Sequence, residues 1–294
     1  MLTNRVPYLD LDLTIGSGQV FLWNKGNDRY WYGIERDSIV KVSMDGNDLE
    51  CVSHPESVDC KRIFRLDDDL HYISRKIARD SIMKDALSKM RGLRLMRQDP
   101  YQCLISFICA TNTSIFMIKR MLANMSLNFG KEIEYDGSRF HAFPEPKRLA
   151  SASINELCGC SVGYRARFIK RAAKAVLEKE IDFDYLKKIN YDNARKELMR
   201  VLGVGQKVAD CILLFSLEKL GSFPIDVWIA RAVMKYYAHM FENRLESDKM
   251  TPKLYEMVSS KMRKYFGAYA GYAQQYLYCY SRNNGINVKT GIKL

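Results

Sequence analysis

The 294-residue chain has no apolar run approaching the ~18 residues that a bilayer-spanning helix needs. Its opening residues carry Arg5, Asp10 and Asp12, where a secretory signal requires an unbroken apolar stretch, so an intracellular protein is expected. Histidine is scarce: the four present are isolated, and none makes an H-x-x-x-H pair. Cys158 and Cys160 form C-x-C with no second cysteine pair at a metal-ligand distance, so no zinc or other metal site is expected. The eight cysteines are scattered, several of them within apolar stretches such as "CLISFICA". That distribution predicts reduced thiols in an intracellular core rather than a disulfide framework. Internal repeats and low-complexity segments are also missing.

What is present fits a globular protein with a sizeable core: 47% of residues are hydrophobic and 27% charged. The length allows one large domain or two ordinary ones. The formal net charge is +12, and it is unevenly placed. Residues 1–98 hold 16 Lys and Arg against 15 Asp and Glu, whereas residues 99–294 hold 30 against 19. Positive charge gathered in one part of a chain is the electrostatic footprint of a polyanion binder. A lysine-rich solvated surface accounts for the charge equally well, so charge alone opens the nucleic-acid question without settling it.

The first part reads as strands. "YLDLDLTI" (8–15) alternates apolar and polar residues, and "YWYGIE" is aromatic and β-prone. "IVKVSM" and "LECVSH" flank Asp45-Gly46, a hairpin signal. From Asp67 the period changes: "DDLHYISRKIARD" sets Leu70, Ile73 and Ile77 on one helical face. Beyond Asp99-Pro100 the pattern is almost wholly helical, with proline in a first turn and Thr113 or Ser114 able to cap "IFMIKRMLANM". An α+β protein is expected: a small N-terminal antiparallel β-sheet domain with flanking helices (1–98), packed on a large all-α domain (99–294).

Within the helical part, "LGVGQKVADCILL" (202–214) joins two helices by a short h-G-h-G turn, a helix-hairpin-helix at about 192–220. Gly203 and Gly205 let the backbone pass tightly. The turn's N–H groups and the following helix N-terminus form a nest for an anion, and in nucleic-acid binders that anion is a backbone phosphate. Lys207 opens the second helix. A lysine amine, with an ordinary pKa of ~10.4, is a poor nucleophile at neutral pH until something favours its neutral form. The positive end of a helix dipole and an apolar setting both do so, and such an amine can form a Schiff base. On this stretch alone, a surface lysine contacting phosphate is the plainer reading. "GSFPIDVWIARAV" then puts Asp226 at a helix N-cap nineteen residues further on. A carboxylate held by helix N–H groups stays ionised and can stabilise positive charge developing on a sugar carbon. Alone, Asp226 is a capping residue; beside Lys207, it completes a catalytic pair.

A helix-hairpin-helix followed by G-V-G-x-K-V-A-D-C and then P-x-D-V resembles the 8-oxoguanine DNA glycosylase/lyase family, within the helix-hairpin-helix base-excision glycosylases. "SGQVFLW" (17–23), "QDPYQCLISFICATN" (98–112), "GYRARF" (163–168) and "GAYAGYAQQYLY" (267–278) resemble family segments in the same order. The resemblance implies a DNA repair enzyme that everts 8-oxoguanine from double-stranded DNA and cuts its N-glycosidic bond. Lys207 matches the family's nucleophilic lysine, which attacks C1′ and goes on to β-elimination, and Asp226 matches its catalytic aspartate. Gly18 lies where a glycine carbonyl accepts the N7–H of the oxidised base, and Gln274 where a glutamine bonds its Watson–Crick edge. Cys211 and Tyr278 match the pair that sandwiches the base. Asn112, Tyr164 and Arg165 match residues that fill the gap and hold the orphaned cytosine.

The chain also departs from the family pattern. Met117 stands where many relatives place an arginine that reads the opposite cytosine, Leu202 replaces a proline, and Trp228 replaces a histidine. No cysteine cluster of the kind that loads an iron–sulfur cluster is present, and the resemblance implies neither cofactor nor membrane, only damaged DNA, and a monomer. The location expected is the nucleus in a eukaryote and the cytoplasm in a prokaryote. Two other readings stand beside this one. In a glycosylase for alkylated purines, Lys207 and the contexts of Gly18 and Gln274 would be out of place. A non-catalytic DNA-binding module would have no use for Lys207, Asp226 and the base-pocket set together.

Overall fold

The computed structural model describes residues 2–6, 8–241 and 250–284. Its N-terminal part is a five-stranded antiparallel sheet of order β1-β5-β4-β3-β2. The strands are β1 (Leu2–Arg5), β2 (Trp23–Lys25), β3 (Trp31–Glu35), β4 (Ser38–Asp45) and β5 (Asp48–His54). The Asp45-Gly46 signal is borne out: Asp45 pairs with Asp48, and Gly46 takes a φ of 61° in the turn between them. One face of the sheet buries Val40, Val42 and Leu49 against Leu11, Ile15, Val20, Trp23, Phe64 and Met96.

The remainder is helical and encloses a larger core. Two helices lie deepest, Pro100–Cys109 and Ala270–Asn283, the latter buried from Ala270 to Ser281. Asp99 and Ser114 cap the helices predicted to follow them. Leu70, Ile73 and Ile77 form the expected face, and it packs into the larger core.

Three expectations fail, each for a physical reason. "YLDLDLTI" contains no strand: Leu11–Gly16 is a helix, because Asp10 accepts the Leu13 amide at 2.8 Å and Leu11 and Ile15 face the same core. A short alternating run holds i, i+4 pairs as well, so its period is ambiguous. The helical part carries a two-stranded ribbon, β6 (Glu132–Tyr135) and β7 (Ser138–His141). Its Asp136-Gly137 turn has positive φ at both residues, 53° and 70°, the type I′ geometry that hairpin twist favours. The cysteines are not all reduced either: Cys51 on β5 and Cys60, which opens the helix Cys60–Ile63, are joined as a disulfide. The chain turns back on itself between them, nine positions apart, and Cys60 packs in the sheet core with Cys51 against it. The other six are thiols.

An ionic clamp ties the sheet part to the hairpin. The fully buried Arg65 donates to Glu218 at 2.7 and 3.2 Å, just beyond the hairpin's second helix. Arg97 donates to the same carboxylate at 3.0 Å and to Asp67 at 2.5 and 2.8 Å.

Candidate active site

The hairpin joins Tyr191–Leu198 to Gln206–Ser216. Gly203 has a φ of 91°, and a Cβ there would lie 2.6 Å from Cβ of Phe168, so conformation and space both require glycine. Gly205 is the N-cap of the second helix and makes no side-chain cap, which leaves the first-turn amides without a side-chain acceptor. Residues 205–208 of this turn line a cavity of about 870 Å³.

Lys207 and Asp226 line this one cavity together with Gly18, Asn112, Gly203, Gly205, Cys211, Gln274 and Tyr278. The Lys207 amine lies 5.2 Å from the centroid of the Phe107 ring, which stacks on Phe215 at 5.5 Å and meets Phe21 edge-on at 5.7 Å. All three rings line the cavity, an aromatic floor that the sequence reading missed although Phe21 and Phe107 sit inside the motifs it quoted. Among the described residues, Lys207 enters no ion pair within 4.0 Å. Asp226 is the N-cap of Val227–Tyr236, its Oδ1 accepting the Ile229 amide at 2.8 Å. Burial pushes its carboxyl above the ordinary aspartate pKa, and the Ile229 amide and the Lys207 charge oppose that rise. The expected ionised cap therefore works against a desolvation penalty that the sequence did not reveal.

The Gly18 turn is held by the deepest helix. Gln275 donates to the Ser17 carbonyl at 3.0 Å and Arg282 to that of Gly16 at 2.8 Å. Gln19 is wholly buried, donating to the carbonyls of Thr14 and Arg94 and accepting the Met96 amide at 2.7 Å, so this motif residue is a structural brace. Gly18 has a φ of 79°, and a Cβ would approach the Tyr278 hydroxyl to 3.0 Å. One turn before Tyr278, Gln274 is 5% exposed, and its Oε1 has no hydrogen-bond partner among the described residues. An orphaned buried acceptor on a cavity wall is costly unless something enters to satisfy it. Burial lifts the Cys211 thiol to about 12, leaving it neutral and suited to an apolar wall; it lifts Tyr278 to about 12 as well.

Asn112 stands at the cavity mouth with a φ of 49°. Tyr164 and Arg165 do not line the cavity. Tyr164 is 56% exposed, edge-on to Phe168, and the Arg165 guanidinium lies 4.6 Å from its ring centroid. Arg165 is buried and donates to the carbonyls of Thr111 and Val162, bracing the loop that carries Asn112. Met117 is half-buried against the core, and Trp228 lines the cavity.

Behind the hairpin lies a polar network that the sequence did not announce. Asp210, fully buried one turn beyond Lys207, accepts from the Tyr191 hydroxyl at 2.5 Å and the Tyr255 hydroxyl at 2.7 Å, with Arg195 Nε 3.0 Å away. Arg195 also pairs with Glu256 at 2.6 Å, and Glu256 accepts from Gln206 at 3.2 Å. Among the described residues no three His, Cys, Asp or Glu side chains converge as a metal site, and no helix is long and apolar enough to cross a membrane.

Residues 1–104 match the family described as 8-oxoguanine DNA glycosylase, N-terminal domain. The probable N-glycosylase/DNA lyase of Methanothermobacter thermautotrophicus is 34% identical over 227 residues, 70% of this chain and 69% of that protein. N-glycosylase/DNA lyase OGG1 of Arabidopsis thaliana is 30% identical over 286 residues, covering 92% of this chain and 76% of its own length. The solved structure of Clostridium acetobutylicum 8-oxoguanine glycosylase/lyase, in complex with double-stranded DNA containing cytosine opposite to 8-oxoG, superposes with a TM-score of 0.86 at 32% identity. That match covers 95% of this chain and 93% of the other. A hairpin lysine and a capping aspartate on one aromatic-floored cavity thus stand within a fold and sequence shared along nearly the whole chain: it belongs to the 8-oxoguanine DNA glycosylase/lyase family.

Proposed function

We propose that this protein is a bifunctional DNA repair enzyme that everts 8-oxoguanine from double-stranded DNA, cuts its N-glycosidic bond and then nicks the strand. The observation that carries the reading is the convergence of Lys207, Asp226, Gly18 and Gln274 on one cavity of about 870 Å³, room enough for an everted nucleoside. The Gly18 carbonyl accepts the N7–H that oxidation gives to guanine. The orphaned Oε1 of Gln274 accepts from the donors of the Watson–Crick edge. The neutral Cys211 thiol and the Tyr278 ring close on the two faces of the base. Outside, Gly203 and Gly205 present the hairpin amides to a backbone phosphate. Tyr164 fills the vacated stack beside Asn112, and Arg165 exchanges the Thr111 carbonyl for the orphaned base.

The unprotonated Lys207 amine attacks C1′, the C1′–N9 bond breaks, and its electron pair leaves with the base. Asp226, ionised, stabilises the positive charge that develops on the sugar. Loss of a proton from nitrogen and opening of the sugar ring give the Schiff base. Removal of a C2′ proton then expels the 3′ phosphate by β-elimination. The amine supplies the nucleophile and the electron sink, so the scheme draws on no metal, cofactor or iron–sulfur cluster. The enzyme acts as a monomer, through an N-terminal domain (1–98) and a glycosylase domain (99–294), wherever its DNA resides: the nucleus in a eukaryote, the cytoplasm in a prokaryote.

Borohydride trapping on an 8-oxoguanine duplex tests the assignment. The parental protein is expected to form a covalent adduct and Lys207→Gln none. Asp226→Asn is expected to bind the duplex normally and turn over far more slowly; excision at the parental rate refutes its role.

A further inference from the structure

The helix Pro252–Phe266 reaches both sides of the catalytic pair with two consecutive side chains. Glu256 accepts from Gln206, the residue before Lys207, at 3.2 Å. Tyr255 accepts the amide of Ile225, the residue before Asp226, at 3.2 Å, and donates to Asp210 at 2.7 Å. Asp210 lies one turn beyond Lys207 on the lysine's own helix. A single phenol therefore spans from the backbone that carries the aspartate to the helix that carries the amine. The link sits on rigid support: Tyr255 is 4% exposed, and Asp210, 0% exposed, is anchored by Tyr191 and Arg195.

We propose that Tyr255 is a positioning residue for base excision, its hydroxyl fixing the loop of Asp226 against the helix of Lys207. The inference rests on the glycosylase/lyase reading given above. Bond cleavage at C1′ requires both groups at once, the amine on one side and the carboxylate beside the developing charge, and small misplacements are costly there. Strand cleavage at a site that has already lost its base calls on the lysine and makes no demand on the distance between the two. The phenol thus matters for the first step and not for the second. Asp210 gives the phenol a charged acceptor, since burial lifts its carboxyl only to about 6. Arg195 and Arg263 hold that value down, with Tyr191 and Tyr255 donating; Glu256 lies next in the chain to Tyr255.

The test uses Tyr255→Phe, which keeps the ring and removes the oxygen, with Tyr191→Phe as comparison, since Tyr191 also donates to Asp210 on the lysine's helix but, unlike Tyr255, does not accept the Ile225 amide beside Asp226. Single-turnover rates are measured on an 8-oxoguanine duplex and, separately, on a duplex with a preformed abasic site, alongside DNA affinity and thermal midpoint. Tyr255→Phe is expected to slow excision about tenfold, the cost of one misplaced charge-linked hydrogen bond, with abasic-site cleavage and affinity unchanged. Tyr191→Phe is expected to excise at nearly the parental rate. Parental excision by Tyr255→Phe overturns the proposal. So does equal slowing of both steps, or equal slowing by the two variants, since either shows a general loosening of the core. Failure of the parental protein to excise 8-oxoguanine overturns the proposal together with the function it rests on, whereas an active parental protein matched in excision rate by Tyr255→Phe removes the positioning role alone.

Discussion

In the proposed mechanism Asp226 works under opposed demands: it must be ionised to stabilise a cationic sugar, yet it stands where burial favours its neutral form. Its proton therefore leaves at a higher pH than that of an ordinary aspartate, ~3.9. The excision rate is expected to rise with pH through that raised value, and so to fail on acidification sooner than an exposed carboxylate would dictate. A single-turnover pH profile checks this, with Asp226→Asn expected to flatten the acid limb. Met117 supports a second expectation. It offers no donor to a base and packs half-buried against the core, so excision opposite cytosine and opposite adenine should proceed at similar rates. A strong preference for cytosine would refute that. At this scale the sequence was informative wherever a residue type and its neighbours defined a chemistry, as with Lys207, Asp226 and Gly18. It was silent about Tyr255 and Asp210, whose pairing across 45 positions depends on how two helices pack.

The hairpin shows how an element transmits local constraint. Gly203 is fixed by its φ of 91° and by Phe168, which in turn meets the exposed Tyr164 edge-on. Gly203→Ala is expected to cost roughly 1–3 kcal/mol of stability from backbone strain. It should also weaken binding to damaged and undamaged duplex alike, because hairpin contacts to phosphate carry no sequence information. Thermal melts and binding to an undamaged duplex measure the two effects. Most elements were legible from periodicity and helix-entry signals: Pro100 opens its helix as expected, with Asp99 as the cap, Ser114 rather than Thr113 caps the next, and Asp226 caps the helix expected of it. The failures also have local causes. Leu11–Gly16 is too short for its alternation to separate strand from helix. The ribbon β6–β7 was overlooked although Asp136-Gly137 repeats the signal read correctly at Asp45-Gly46, because a helical context on both sides masked it.

Across the whole molecule, charge and burial set the response to solvent. Glu35, at the end of β3, is pushed up to about 8 by burial and by the charge of Asp99, with Arg36 and Arg62 opposing. The folded chain thus keeps a proton there that the unfolded chain gives up at the ordinary value of 4.5. Stability from this group is complete below 4.5 and declines as the pH rises to about 8. Glu35→Gln is expected to shrink the fall in melting temperature over that interval, as thermal melts at several pH values will show. The overall architecture was readable from the order of motifs, and so was the gathering of Lys207, Asp226, Gly18, Cys211, Gln274 and Tyr278 on one cavity, though not its aromatic floor. The Cys51–Cys60 disulfide was not, since nothing in the spacing of the eight cysteines singles out that pair.

The Arg65–Glu218 clamp carries a consequence for how the protein melts. If the sheet half came apart first, the hairpin half would lose the guanidinium partners of Glu218. If the hairpin half came apart first, Arg65 and Arg97 would lose Glu218 and keep only Asp67 and Asp68 of their own half. Neither order is favourable, so heat should dissolve both halves in one calorimetric peak, and the repair machinery is either wholly intact or wholly gone.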